Sequence, residues 1–156
     1  MYVEPGVYLD SNATESNNLA ILGIARGAAS TRRKRIVTSA VEHKSVLSVF
    51  GKLESEGFEV IIFPVDDRGR VQLCSVKQAV NDETLLVSIQ GANNEVGTIQ
   101  PVQEIVEIAH QYGALVHCDA AQAVGKMPVH LDTWGVDLAS FSAHKLYGPK
   151  GIGALY

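Results

Sequence analysis

Residues 85–119 read LLVSIQGANNEVGTIQPVQEIVEIAHQYGALVHCD. Leu85 to Ile89 is a short apolar run that stops at Gly91 and the loop Asn93-Asn94-Glu95. The period then changes. Pro101 stands at a first helical position, Val102, Ile105, Val106 and Ala109 follow at helical spacing, and Gly113 closes the segment. Ala114 to Cys118 is a second apolar strand, ended by Asp119. Two strands joined by a helical crossover of this length lie parallel, because a tight turn cannot return the chain in the same direction.

The same alternation extends on both sides. Upstream, Thr14-Glu15-Ser16 opens a helix whose stripe is Leu19, Ala20, Ile21, Ile24 and Ala25, ending near Gly27. A strand follows over Arg35–Ser39, then a helix over 43–55 with Val46, Leu47, Phe50 and Leu53 on one face. Phe58–Val65 is rich in β-branched residues and reads as a strand, Asp66-Asp67-Arg68-Gly69 as a turn, and 74–81 as a short helix. Downstream come a strand over Asp137–Phe141, a glycine-rich turn through Gly153 and the start of a strand at Leu155-Tyr156. The expected fold is α/β, a mostly parallel sheet flanked by helices in one domain. Ligands of such sheets sit at the carboxyl ends of the strands. Asn94, Asp119, Ser142 and Lys145 all follow directly on predicted strands.

Composition narrows the class. The chain has 156 residues, 46% hydrophobic and 19% charged, with 13 Lys/Arg against 17 Asp/Glu and a net charge of −4. That is enough apolar surface for a core, which excludes disorder. An isoelectric point near 5.7 argues against nucleic acid as a partner of the whole surface. Two cysteines, Cys74 and Cys118, are too few for a disulfide framework and point to a reducing compartment. No apolar run approaches membrane-spanning length, and Glu4 and Pro5 stand where a secretory leader would need basic and then apolar residues. A cytoplasmic protein without a membrane partner is expected. The run Arg32-Arg33-Lys34-Arg35 is expected to be solvated loop charge. The five histidines lack zinc spacing, and no complete Walker-type phosphate loop is present.

Several polar residues have two readings each. Lys145, just past a strand in Ser142-Ala143-His144-Lys145, is either a solvated loop charge or an amine for Schiff-base chemistry, with neighbouring hydroxyl, imidazole and N–H groups for a phosphate. Asp119 is either a helix N-cap or a strand-end carboxylate that requires a cationic or hydrogen-bonding partner, such as a protonated pyridine, with Gln122 three residues on. Asn93-Asn94-Glu95 is either an ordinary turn or a donor to a phenolic oxygen. His43 either caps a helix or stacks on a flat ligand. Thr14 offers hydroxyl and backbone N–H groups to phosphate at a helix start.

Five ordered stretches decide between these readings. They are Ala13-Thr14-Glu15-Ser16-Asn17-Asn18-Leu19-Ala20, Glu42-His43-Lys44, Ala92-Asn93-Asn94-Glu95-Val96-Gly97, His117-Cys118-Asp119-Ala120-Ala121-Gln122, and Ser140-Phe141-Ser142-Ala143-His144-Lys145 with Tyr147-Gly148-Pro149-Lys150-Gly151. The series resembles the class V aminotransferase superfamily, and within it the cysteine desulfurases of the iron–sulfur cluster type. The likeness runs from about residue 12 to the last residue.

The resemblance implies a pyridoxal 5'-phosphate (PLP) cofactor and the large domain of an aspartate aminotransferase-like transferase. Lys145 matches the lysine that binds the cofactor and shuttles the substrate's α-proton. Asp119 matches the partner of the pyridine nitrogen, and His43 the stacking residue. Asn94 and Gln122 match the residues that address the phenolic oxygen, and Thr14, Ser142 and His144 those that hold the phosphate. The implied reaction takes L-cysteine to L-alanine and leaves the sulfur on a separate enzyme cysteine. A homodimer and a sulfur-acceptor or scaffold protein are the implied partners.

Departures from the pattern are also visible. The family's nucleophilic cysteine lies on a loop well beyond the lysine, whereas 11 residues follow Lys145 here. A later arginine for the substrate carboxylate and the small C-terminal domain have no counterpart. Tyr8-Leu9-Asp10 resembles the family's opening strand but runs almost directly into the Thr14 motif. Residues 1–156 are therefore expected to be a partial, truncated PLP-binding large domain, inactive alone. A non-catalytic dimerisation or scaffold remnant, or the core of another class V enzyme such as a selenocysteine lyase, are the alternatives. Alternation along the strand turns Cys118 away from the Asp119 face, so it is expected to be a packing residue.

Overall fold

The computed structural model describes residues 8–10, 12–28 and 31–156. Glu4 and Pro5, the residues that argue against a leader, lie outside them. In chain order the elements are β1 (Tyr8–Asp10), α1 (Ala13–Gly27), β2 (Arg35–Ser39), α2 (Lys44–Ser55), β3 (Glu59–Phe63), α3 (Leu73–Ala79), β4 (Thr84–Gln90), α4 (Val102–Gln111), β5 (Leu115–Asp119), α5 (Leu131–Trp134), β6 (Leu138–Ser142) and β7 (Gly153–Leu155). A 3-10 helix, Ala143–Leu146, lies between the last two strands. Among the described residues no helix is long and apolar enough to cross a membrane.

The strands form one sheet in the order β1-β7-β6-β5-β4-β2-β3. Strands β2 to β6 pair in parallel, and β7 runs antiparallel to both its neighbours. The chain steps outward from β2 to β3, then crosses back to place β4 on the other side of β2. That reversal opens a crevice at the carboxyl ends of β2 and β4, where open α/β sheets hold their ligands.

Alternation along each strand feeds two cores. Val37, Val87, Ile89, Val116 and Cys118 pack with α3 and α4 on one face of the sheet. Ile36 and Leu86 pack with Ile21, Val46, Phe50 and Leu53 of α1 and α2 on the other. On this second face the alternate positions turn polar toward the carboxyl ends: Ile36 gives way to Thr38, Leu86 to Ser88 and Gln90, and His117 leads to Asp119. All five polar residues are buried. The same period-2 pattern that builds the core therefore builds the floor of a polar cleft.

Local differences from the sequence reading have physical causes. The inward face of α1 is Ser16, Asn17, Ala20, Ile21 and Ala25, whereas Leu19 is 49% exposed, because the helix rotates to bring two polar residues under the cleft. Pro101 caps α4 from outside rather than opening its first turn. The single turn α5 is too short to show a period and ends at Gly135 with φ 71°. The basic run is not simply solvated. Arg33 donates to the carbonyls of Thr84 and Gly113 at 3.2 and 2.6 Å, Lys34 lies 4.7 Å from the centre of the Phe58 ring, and Arg35 forks onto Glu59 at 2.9 Å.

Candidate functional site

Thr14, His43, Asn94, Asp119, Gln122, Ser142, His144 and Lys145 all line one cleft of about 550 Å3 at the carboxyl ends of the strands. They come from six separate segments: the first turn of α1, the residue before α2, the loop after β4, the end of β5, the turn beyond it, and the end of β6 with its 3-10 helix. Asp119 and Ser142 are buried, Gln122 is half-buried, and the others are exposed.

Asp119 forms the floor. Its Oδ1 accepts from the backbone N–H of Ala121 at 3.1 Å and its Oδ2 from Asn17 Nδ2 at 2.8 Å. No helix follows it; the N-cap alternative reduces to an Asx-type turn. Burial pushes its pKa up, while the Asn17 and Ala121 donors and the neighbouring His43 pull it down.

His43 caps the helix, one of the two roles that the sequence left open, and it also lines the cleft. Its Nδ1 accepts from the backbone N–H of Ser45 at 3.2 Å and so caps α2, and the ring lines the cleft. The loop after β4 divides its labour in the same way. Asn93 makes the turn, its Oδ1 accepting from the N–H groups of Glu95 and Val96 at 2.9 and 3.0 Å and its Nδ2 donating to the Val41 carbonyl at 3.2 Å. Asn94 is thereby presented to the cleft. Replacing Asn93 with alanine strips three hydrogen bonds from the turn and is expected to cost about 1–3 kcal/mol in a denaturant titration.

Gln122 Oε1 accepts from Lys126 Nζ. Lysine only donates, so the amide oxygen is committed there and the Gln122 NH2 remains for another acceptor. At the β6 end, Ser142 Oγ and His144 Nδ1 lie 2.8 Å apart. Lys145 sits in the 3-10 helix, which Tyr147 terminates in the left-handed region at φ 62°. The turn closes so tightly that a Cβ on Gly148 would meet the Ala143 carbonyl oxygen at 2.9 Å.

The lining thus has a buried carboxylate on its floor, hydroxyl and imidazole groups with two lysines, Lys145 and Lys150, on its wall, and the positive end of α1 beside Thr14. A flat ligand with a cationic ring nitrogen, a phosphate and an aldehyde fits that donor set.

The comparisons with known proteins decide the family. A family model described as aminotransferase class-V matches residues 4–156. The chain belongs to the class V aminotransferase family. Within this class V family, a cysteine desulfurase IscS of Dictyoglomus turgidum is 52% identical over 150 residues, which is 96% of this chain and 38% of the relative. A solved NifS-like protein superposes with a TM-score of 0.92 at 45% identity, over 96% of this chain and 41% of that one. A protein called SspA, solved in complex with cysteine, superposes with a TM-score of 0.91 at 41% identity, over 96% of this chain and 43% of that one. The chain spans less than half the length of these relatives.

The class V cleft also contains residues that sequence reasoning passed over. Asn17, Ser45, Gln90 and Lys150 line it. Asn17 and Gln90 carried a readable signal, since each is a polar residue on an apolar face of a helix or strand. Behind the cleft, Glu42 is buried and takes Ser39 Oγ on its Oε1 at 2.6 Å, while its Oε2 has no partner among the described residues. Burial raises its pKa to about 8.

Proposed function

We propose that these residues form part of the PLP-binding large domain of a cysteine desulfurase, which converts L-cysteine to L-alanine and passes the sulfur to an enzyme cysteine. One observation carries the reading: eight residues scattered over the chain, each chemically suited to one part of that cofactor, meet on one cleft. The names of the similar proteins support the substrate.

When bound, PLP supplies a sink for the electron pair left by removal of the substrate's α-proton. Lys145 Nζ would hold the cofactor and would carry the substrate's α-proton. The Asp119 carboxylate holds a proton on the ring nitrogen through an ionic hydrogen bond. His43 covers one ring face. Asn94 and Gln122 donate N–H groups to the phenolic oxygen. Thr14, Ser142 and His144 hold the phosphate beside the positive end of α1.

The sulfur-accepting cysteine of this reading is neither of the two in the chain. Cys118 is fully buried in the core, its thiol pushed well above the ordinary range by desolvation and by Asp119 and Glu42. Cys74 is exposed on α3 and is not part of the cleft lining. A homodimer, a sulfur-acceptor or scaffold protein and a cytoplasmic location belong to the same proposal. Reconstitution with PLP, borohydride reduction and peptide mass mapping test it. The cofactor is expected on Lys145, and an adduct on another lysine, or none, overturns the reading.

A further inference from the structure

Two side chains, Ser45 and Asn17, join His43 to Asp119 in one directed hydrogen-bond chain. Ser45 Oγ lies 2.8 Å from His43 Nδ1, and Asn17 Nδ2 reaches both Ser45 Oγ at 2.9 Å and Asp119 Oδ2 at 2.8 Å. Asn17 is fully buried and Ser45 nearly so.

The direction of every link follows from the first. His43 Nδ1 accepts the backbone N–H of Ser45 in the first turn of α2, so this nitrogen carries no proton of its own. Ser45 Oγ must then give its single hydrogen to Nδ1 and can only accept from Asn17. An accepting hydroxyl fixes the NH2 end of the Asn17 amide toward it. The second hydrogen of that same nitrogen points at Asp119 Oδ2, and an N–H aimed at a carboxyl oxygen favours its ionised form.

The arrangement holds although it leaves a group unsatisfied. Asn17 Oδ1 is buried and without a partner among the described residues. A flipped amide would turn that oxygen toward Ser45 and Asp119, but it would require Asp119 to donate and would take the Ser45 hydrogen away from His43. The cap on α2 stands against that flip.

We propose that Ser45 and Asn17 are positioning residues that favour the ionised Asp119 carboxylate on the cleft floor by relaying hydrogen-bond direction from the Ser45 N–H in the first turn of α2. Its value to the cofactor rests on the proposed function, in which Asp119 faces the ring nitrogen. Other groups around Asp119 act on it as well. Glu42 and His43 approach from the segment before α2, Gln90 pairs with it from β4, Ser140 pairs from β6, Cys118 adjoins it on β5, and His144 and Lys145 share the cleft. Asn17 is the side chain that donates directly to the carboxylate among the described residues.

The test follows the Asp119 side-chain carboxyl by carbon NMR as a function of pH in the chain without cofactor. Ser45→Ala keeps the backbone cap but removes the relay, and the Asp119 titration is expected to move to higher pH. Ser45→Thr restores the hydroxyl and is expected to titrate as the wild type does. Asn17→Ala is expected to shift the titration in the same direction; should it not fold, Ser45→Ala decides alone. An unchanged or lowered titration in folded Ser45→Ala overturns the proposal. In a second arm, PLP is expected to bind Ser45→Ala about tenfold more weakly than wild type, in keeping with loss of an ionic hydrogen-bond partner. Failure of the wild type to bind PLP would reject the proposed function, while the carboxyl titration would still judge the relay.

Discussion

Replacing Lys145 with alanine is expected to abolish the visible absorbance of lysine-bound PLP and to leave no cofactor on the chain after borohydride reduction. The loss should be total, not graded. A Schiff-base amine has no substitute in the cleft at the same place: Lys150 also lines the cavity but follows the turn closed by Tyr147 and Gly148. Folding should survive, because Lys145 is exposed on the 3-10 helix and lies outside the core. Substitution of an exposed side chain typically changes stability within about 0.5 kcal/mol. A Lys145→Ala chain that still carries the absorbance, or still traps the cofactor, would show that the lysine assignment is wrong.

The second large effect is on stability against pH. His117 is fully buried, with Nδ1 2.9 Å from Ser88 Oγ and Nε2 2.8 Å from Ser140 Oγ, and desolvation lowers its pKa from 6.5 to about 3. Below pH 6.5 the unfolded chain binds a proton that the folded chain refuses, so this group lowers stability as pH falls from 6.5 toward 3. Glu42 works in the opposite sense. Its pKa is raised from 4.5 to about 8, so its stabilising share is complete below 4.5 and is lost as pH rises toward 8. Each slope is about 1.4 kcal/mol per pH unit. Between 4.5 and 6.5 the two cancel.

A plateau is therefore expected between those values, with losses of about 2 kcal/mol by pH 3 and again by pH 8. Denaturant midpoints measured across pH check the curve, and Glu42→Gln should flatten its alkaline limb. Constant stability from pH 6.5 to 8 in the wild type would contradict the burial of a protonated Glu42.

Much of the fold and site is legible because it is written in local periods. Strand β2 occupies the predicted residues, β4, β5 and β6 agree with prediction to within one or two, and α1 begins where Thr14 announces it. All eight expected site residues reach one cleft because each follows a strand or opens a helix, and parallel strands bring those ends together. What stayed hidden depends on partners distant in the chain. Leu19 looks like core until the helix is seen to bury Asn17 instead, and Asn17 meets its acceptor 102 residues away. The basic run looks solvated until Arg33 finds the Thr84 and Gly113 carbonyls.

The sequence by itself determined the α/β class, the parallel central strands and the chemical inventory of the cleft, since apolar period and turn residues act within a few positions of one another. Tertiary structure alone decided the reversal that puts β4 beside β2, the antiparallel β7, the burial of Glu42 and the direction of the hydrogen bonds from His43 to Asp119. Strand order and burial depend on which distant surfaces meet. Hydrogen-bond direction depends on which neighbour has already spent its proton, and no local pattern of residues records that.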